Sequence, residues 1–593
     1  MSFPFRTSVF TSCLFGLLSA GAAAQTSPDA ARRDAIRQRL NQIREGFDQL
    51  PPRHQALLDG YSHAVHLSRN FDKIAPRLLE ARAAQKPLSR REFGKLLAEA
   101  DPGVSAVNDP SGDLDFSPFA GTTQSETHTA MCGNQVVVGF NDSGSFLQTF
   151  MFGTGGLSFS GAAVSSDRGR TFRDIGAMNP GADFNNFIQG DPVLNCSDPN
   201  TFFYTQIFTF GDFPGFASIA VSKSTDGGNT WGEPASAVAK VLASRFHPRG
   251  HFLDKNWSAI DPSNPARMYV SYTDFDDTRA SPGCGTQSRA AIEVVASTDG
   301  GQTFGSPIIV DEQCGDDVAV QGSHLAVSSR GLLSVLWERF TPTTIELRIT
   351  SIAPGGKPTP SVLIEQRVLG GDTFLSKEHG NGPLGLTLET DLQGEFRDLV
   401  ALDLAVDHSG GRSDGTVYVT WDDGRGKSIS DIASTETVNQ NAIFVTAGSY
   451  AFTDVLLSSS SDGIHFSRPA KVNSDNQPLR GRRGHDHFQP AIAVDPFGTV
   501  GICWYDRRND RQNLLIERFC ARSANGGKSW NETRVKGTSF APIHRLDLIT
   551  QPAYMGDYDG LTSDFSGKTR GFVGAFQVMS SGMNPDVKAF RFE

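Results

Sequence analysis

At 593 residues and 38% hydrophobic content, the chain can bury at least one large core, which excludes a wholly disordered protein. Its formal charge of −11 is unevenly spread: residues 25–100 hold 14 Lys/Arg against 9 Asp/Glu, and residues 101–593 hold 39 against 56. An acidic body of that kind argues against nucleic acid or an anionic membrane as the main partner.

Residues 1–24 read as a secretory signal peptide, with Arg6 at the start, an apolar run from Val9 to Leu18, and Ala22-Ala23-Ala24 before Gln25. That run is too short to span a bilayer, and no later segment is a better candidate. A secreted or periplasmic location is therefore expected. Residues 25–100 read as a helical extension. Ile36, Leu40, Ile43 and Phe47 form one stripe at helical spacing, and Ser89-Arg90-Arg91-Glu92 fits a capping box ahead of Phe93, Leu96 and Leu97. Residues 101–120, rich in Pro, Gly, Ser and Asp, read as a linker. Six cysteines follow the signal, an even number that favours disulfides in an exported chain. Cys284 with Cys314 would bracket one hairpin and Cys503 with Cys520 would join neighbouring strands, which leaves Cys132 for Cys196. None has Cys-x-x-Cys spacing.

From residue 121 to 593 the chain repeats itself. Five stretches vary one phrase: SSDRGRTF from Ser165, STDGGNTW from Ser224, STDGGQTF from Ser297, SSDGIHF from Ser460 and SANGGKSW from Ser523. Asp and Ser oxygens suit a tight turn, the glycine takes a positive φ, and the closing aromatic packs inward. The gap from Asp299 to Asp462 hides another unit, with Ser351–Gly356 as its eroded turn. Seven strand pairs precede or follow these turns. The last, from Asp557 to Gln577, takes a third strand from Val587–Phe592 and its outermost strand from near the linker. The fold class expected is all-β: a seven-bladed β-propeller, with six blades as the alternative, carrying a short α-helical N-terminal extension.

The repeated phrase resembles the Asp-box (BNR) repeat of the sialidase superfamily, whose members are β-propellers. The Arg-Ile-Pro motif of the enzymes in that superfamily is absent. The resemblance implies an exo-glycosidase acting on sialic acid or another acidic sugar. A non-catalytic propeller that binds glycan or protein is the alternative, and a polysaccharide lyase a further one. Glycan or glycoconjugate is the expected partner, and no cofactor is expected.

If the box turns lie on one face, the loops leading into the innermost strands lie on the other, where function is expected. Two of these loops contain Arg-Gly-His: Arg249-Gly250-His251 and Arg483-Gly484-His485. Substrate-binding candidates are Arg249, Arg483, Arg507, Asp506, His487 and Asp557, since guanidinium groups grip carboxylates or vicinal hydroxyls. Catalytic candidates are Asp254 and Asp486 for acid/base work, with His251 and His485 able to move protons near neutrality. By the resemblance, Tyr558 would be the nucleophile of a hydrolase, or would join the histidines in a lyase. His485-x-His487 has the spacing of a metal site but no third ligand, so no metal is assigned.

Overall fold

A computed structural model describes residues 28–58, 60–84, 104–110, 122–212, 215–242, 249–368, 401–423, 453–475, 485–537, 539–541, 549–550, 555–580 and 584–593. The proposed signal, the Ser89 capping box and the arginines of 480–483 lie outside them.

Seven sheets form a β-propeller, each running A to D from the axis outward; the pairings A to D are antiparallel, and Leu157–Ser158 adds a short parallel strand at the inner edge of blade 2. Blade 1 holds Gln124–Cys132, Gln135–Asp142, Ser160–Ser165 and Arg173–Ala177; blade 2 holds Phe187–Cys196, Phe202–Phe210, Phe216–Ser224 and Ala235–Val241. Blade 3 holds His251–Ile260, Met268–Asp276, Arg289–Ser297 and Ile308–Cys314. Blade 4 holds Ala319–Val327, Leu333–Phe340, Thr344–Ile352 and Val362–Val368; blade 5 holds Leu402–Val406, Val417–Asp423, Asp454–Ser460 and Ala470–Lys471. Blade 6 holds His487–Val494, Val500–Asp506, Glu517–Ser523 and Asn531–Arg534. Blade 7 takes Leu561–Ser563, Phe572–Ser580 and Asn584–Phe592 from the C-terminal part of the chain, and its outer strand, Val104–Ala106, from the segment ahead of blade 1. Val104 pairs with Phe590 and Ala106 with Lys588. Two distant parts of the chain thus share one sheet, which closes the ring.

The five repeated phrases all turn strand C into strand D. In the first, Ser165 Oγ donates to Asp167 at 2.8 Å, and the Thr171 amide and hydroxyl donate to the same carboxylate at 2.9 and 2.7 Å. The Ser224 and Ser297 turns repeat this pattern. Gly228, at φ 87°, lies so close to blade 1 that a Cβ would come within 2.5 Å of Val137. The closing aromatics Phe172, Trp231, Phe304, Phe466 and Trp530 are partly buried against the inter-blade core. The last turn supplies its own control: Asn525 accepts from Ser523 Oγ and the Ser529 amide as an aspartate would. Asp226→Asn should therefore be close to neutral in urea unfolding. Asp226→Ala removes the acceptor of these exposed donors and should cost about 0.5–1.5 kcal/mol.

Three disulfides are present with the expected pairing. Cys132–Cys196 ties the lower turns of blades 1 and 2, Cys284–Cys314 brackets the outer hairpin of blade 3, and Cys503–Cys520 links facing residues of strands B and C in blade 6. They fit an extracellular protein. Among the described residues, no helix is long and apolar enough to cross a membrane.

Helices α1 (Pro28–Phe47), α2 (Pro52–Leu57) and α3 (Gly60–Ala84) lie on the face where the A strands begin, the upper face. The stripe Ile36, Leu40, Ile43 and Phe47 is buried as its periodicity predicts. Phe47 and Tyr61 both meet the Phe252 ring edge-on, at 6.2 and 4.6 Å between centroids. Arg32 donates to the carbonyls of Phe150, Thr149 and Gly155, which cover the C-terminal end of α4 (Ser143–Phe152), the upper connection of blade 1. A guanidinium at a helix C-terminus is favoured by the helix dipole as well as by the bonds. The helices are a docked cap over blades 2, 3 and 4 rather than a free arm.

Candidate functional site at the propeller axis

The inner strands carry a device that no motif announces. In blades 1, 2, 3, 4 and 6 the pairing of strand A with strand B slips by a β-bulge just below the upper rim. The bulged residues have left-handed backbones: Glu126 at φ 48°, Asp191 at 54°, Lys255 at 47°, Gly322 at 69° and Gln489 at 49°. Four of the five are not glycine, and each such position stores roughly 1–3 kcal/mol of strain. A bulge re-aims the side chain it carries. Here it gathers Glu126, Asp191 and Lys255 at the axis.

Lys255 Nζ lies 2.6 Å from Asp557 Oδ2, 3.5 Å from Glu126 Oε1 and 3.6 Å from Asp191 Oδ2. One ammonium thus faces three carboxylates from blades 1 and 2 and the lead-in to blade 7. Second contacts fix each acid: Asn141 Nδ2 donates to Glu126 at 2.6 Å, the Asp557 amide donates to Glu126 at 3.1 Å, and the Asp191 amide donates to Asn141 Oδ1. Gln489 Nε2 donates to the Gly556 carbonyl and holds the Asp557 segment in place. All four ionic side chains are buried. With the acids ionised, these four described groups together carry a net charge of −2, unfavourable to an anionic ligand.

Below it lies an aromatic layer. Trp257 stacks on His324 at 3.6 Å and meets Tyr558 and His128 edge-on at 5.5 and 5.1 Å. His128 Nδ1 accepts from the Leu194 amide, which puts any ring proton on Nε2. Burial, helped by His324, pushes its pKa down to about 3, so the ring is neutral. Tyr558 is partly exposed, and its hydroxyl donates to the Pro192 carbonyl. Burial first, then Glu126 and Asp191, push its phenol pKa well up. Above the carboxylates the cap closes the axis: Gln321 Nε2 bridges Asp254 Oδ2 at 2.9 Å and the Leu57 carbonyl of α2 at 3.0 Å.

The remaining residues singled out from sequence fall on the upper rim, in two clusters. Around blade 3, His251 Nδ1 donates to Asp274 at 2.9 Å, and Lys240 and Arg289 pair with Asp274 at 2.6 and 2.7 Å. Burial opposes ionisation of Asp274, but the three cations outweigh it and hold its pKa well below the carboxylate range. His251, Asp274 and Asp276 bring three possible ligand atoms within 4.8 Å; Lys240 and Arg289 already supply the positive charge there. Arg249 is exposed nearby. Around blade 6, Arg507 is fully buried, stacks over Phe488 and donates to Asp486 at 3.1 Å. His487 lies 3.1 Å from Asp475 and 3.5 Å from Asp506, and Arg508 pairs with Asp506 at 2.6 Å. His485 is partly exposed at the start of the blade, and Arg483 lies outside the described residues.

The two Arg-Gly-His loops are not equivalent where their sequences match. His251 pairs in register with Asp276 and His487 with Asp506, so His-Phe, not Arg-Gly-His, is the shared unit. The strand register decides this, because Phe252 and Phe488 must both point into the sheet interior.

His487 gives the blade 6 cluster a pH signature. Burial opposes its protonation, but Asp506 and Asp475 outweigh burial and raise its pKa above 6.5. Its contribution to stability is then complete below pH 6.5 and is lost as the pH rises through the raised folded value, at about 1.4 kcal/mol per pKa unit. The wild-type unfolding free energy should fall across that window, and His487→Gln should flatten the profile.

The fold and axis thus define a capped β-propeller with an acidic, aromatic-floored hub. No family model matches the chain, and no curated protein does. Among solved structures, it is similar to an α-L-arabinanase of Penicillium chrysogenum, at 10% identity and TM-score 0.40 over 79% of this chain and 93% of that one. An α-L-arabinofuranosidase of Fusarium graminearum gives 10% identity and TM-score 0.38 over 83% and 97%. A Hadza microbial sialidase gives 12% and 0.37 over 69% and 66%. Likenesses of this size leave any reading of activity to the chain's own residues.

Proposed function

We propose that the protein is an exported, glycosidase-like β-propeller that takes a sugar at its axis. Glu126, Asp191 and Asp557 would supply the carboxylates of acid/base and nucleophilic work, and Trp257 with Tyr558 the apolar floor on which a sugar ring stacks. The observation that carries this reading is the strain: four non-glycine residues are held in left-handed conformations in one layer, and three of them put ionisable groups at the same point. Strain of that kind persists where a geometry is needed. Glycoside hydrolysis needs paired carboxylates a few ångströms apart. The sialidase resemblance suggests an acidic sugar, but the hub's net negative charge, without an arginine among its described residues, favours a neutral one. The signal at 1–24 and the three disulfides support export.

A fluorogenic panel of neutral and acidic glycosides tests this. We expect turnover of a neutral glycoside, reduced at least a hundredfold by Asp557→Asn or Glu126→Gln in folded protein; no turnover of any member removes the hydrolase reading. A second reading, a non-catalytic glycan-binding propeller, is favoured by the position of Lys255, whose ammonium sits among all three acids. Sugar binding without turnover on the same panel would select it.

A further inference from the structure

His54, in α2, is fully buried where the cap meets blades 3 and 4. Its Nε2 donates at 3.3 Å to the carbonyl of Val318, one residue ahead of the inner strand of blade 4. Its ring meets Phe275 of blade 3 at 5.2 Å between centroids. Since a carbonyl only accepts, Nε2 carries the proton and Nδ1 keeps the lone pair. Nδ1 is buried and has no hydrogen-bond partner. One turn further on, the Leu57 carbonyl accepts from Gln321, which also holds Asp254, so the same short helix is tied to the axial layer.

A second proton on this ring is badly placed. It adds a charge and an N–H donor in a buried site with no acceptor in reach, and both costs vanish once the ring meets water. The charged groups that face the ring are mixed. Asp316, between blades 3 and 4, favours the cation, whereas Arg53 of α2 and Arg279, on the B–C connection of blade 3, oppose it. Arg279 itself engages Asp277 and Asp316 at 3.1 and 3.6 Å, and Asp317 acts on Arg53. Burial first, opposed by the Val318 bond and Asp316 and helped by the two arginines, pushes the His54 pKa from 6.5 down to about 4. We propose that the cap is an acid-released lid, in which protonation of His54 frees α2 from the upper rim and opens the axis. The released ring binds the proton more tightly than the docked one. Docking is therefore complete above pH 6.5, weakens as the pH falls towards 4, and changes no further below that. Between pH 7.5 and 5.0 the opening should grow about thirtyfold, from those two values. The use of such an opening rests on the sugar site proposed above; the opening itself does not.

Hydrogen exchange of the full chain at the two pH values, corrected for the intrinsic pH dependence of exchange, tests the proposal. We expect protection of the Gln55 and Leu58 amides, both hydrogen-bonded within α2, to fall at least tenfold at pH 5.0. Protection at Leu253–Asn256 should fall with it, while Val136–Val138 of blade 1 stays protected. His54→Gln keeps a donor for Val318 but takes no proton, and should abolish the acid response; His54→Leu serves the same end should the glutamine variant fold poorly. A change below threefold in the wild type, parallel loss in α2 and blade 1, or an acid response retained in a folded His54 variant would overturn the proposal. Exchange reads the opening directly, so a glycoside panel without turnover leaves the result standing.

Discussion

Lys255→Met should destabilise the protein by about 3–5 kcal/mol, read as a lower urea midpoint at unchanged slope. The lysine is 6% exposed and, among the described residues, is the cation facing Glu126, Asp191 and Asp557. Removing one partner from a buried ionic cluster is far more damaging than removing the cluster, because desolvated charge is left uncompensated. Lys255→Met combined with Asp557→Asn should therefore recover part of the loss, since the closest acid goes with its counter-ion. A loss below about 1 kcal/mol would mean that the hub is wet and its charges screened, contrary to the burial described above.

Tyr61→Ala should both destabilise and uncover. Tyr61 is fully buried with its ring edge-on to Phe252, and truncating such an aromatic costs about 3–5 kcal/mol. Its loss also frees α2 and α3 from the upper rim, where Leu57 holds Gln321 and, through it, Asp254. Hydrogen exchange at the amides of Leu253–Asn256 should rise in Tyr61→Ala while the outer strands of blade 3 stay protected. Unchanged exchange at the axis would show that the cap does not seal the hub.

Much of the fold was legible because copied units announce themselves. The Ser-x-Asp-x-Gly-x-Thr-aromatic turns carry their hydrogen bonds within a few residues, so local sequence suffices to place them, and counting the strand pairs between them yields seven blades. Ring closure followed from the C-terminal unit lacking an outer strand. The helical stripe Ile36–Phe47 was equally plain, but its docking site was not, because its partner Phe252 lies some two hundred positions along the chain.

The hub was less legible for a different reason. Asp254, Asp557 and Tyr558 were reached by their position on the upper face, whereas Glu126, Lys255 and Gln489 were not singled out. A bulge is set by register between strands, and Glu126 sits in an ordinary polar stretch, Gln124-Ser125-Glu126-Thr127. The faint signal was polar residues interrupting otherwise apolar inner strands, as in Phe252-Leu253-Asp254-Lys255-Asn256 and Phe488-Gln489. Arg507 shows the converse: a charged loop residue that reads as a ligand from sequence is packed beneath Phe488 and spent on Asp486.

The central claim is that strained bulges hold Glu126, Asp191 and Lys255 at the axis, beside Asp557, to receive a sugar ring. A crystal structure of the protein soaked with a neutral disaccharide tests it most directly. The account predicts sugar density above Trp257 with hydroxyls within hydrogen-bonding distance of Asp557 or Glu126, and Lys255 moved to admit it. Sugar bound only away from the axis, with Lys255 still clasped by the three carboxylates, would contradict it.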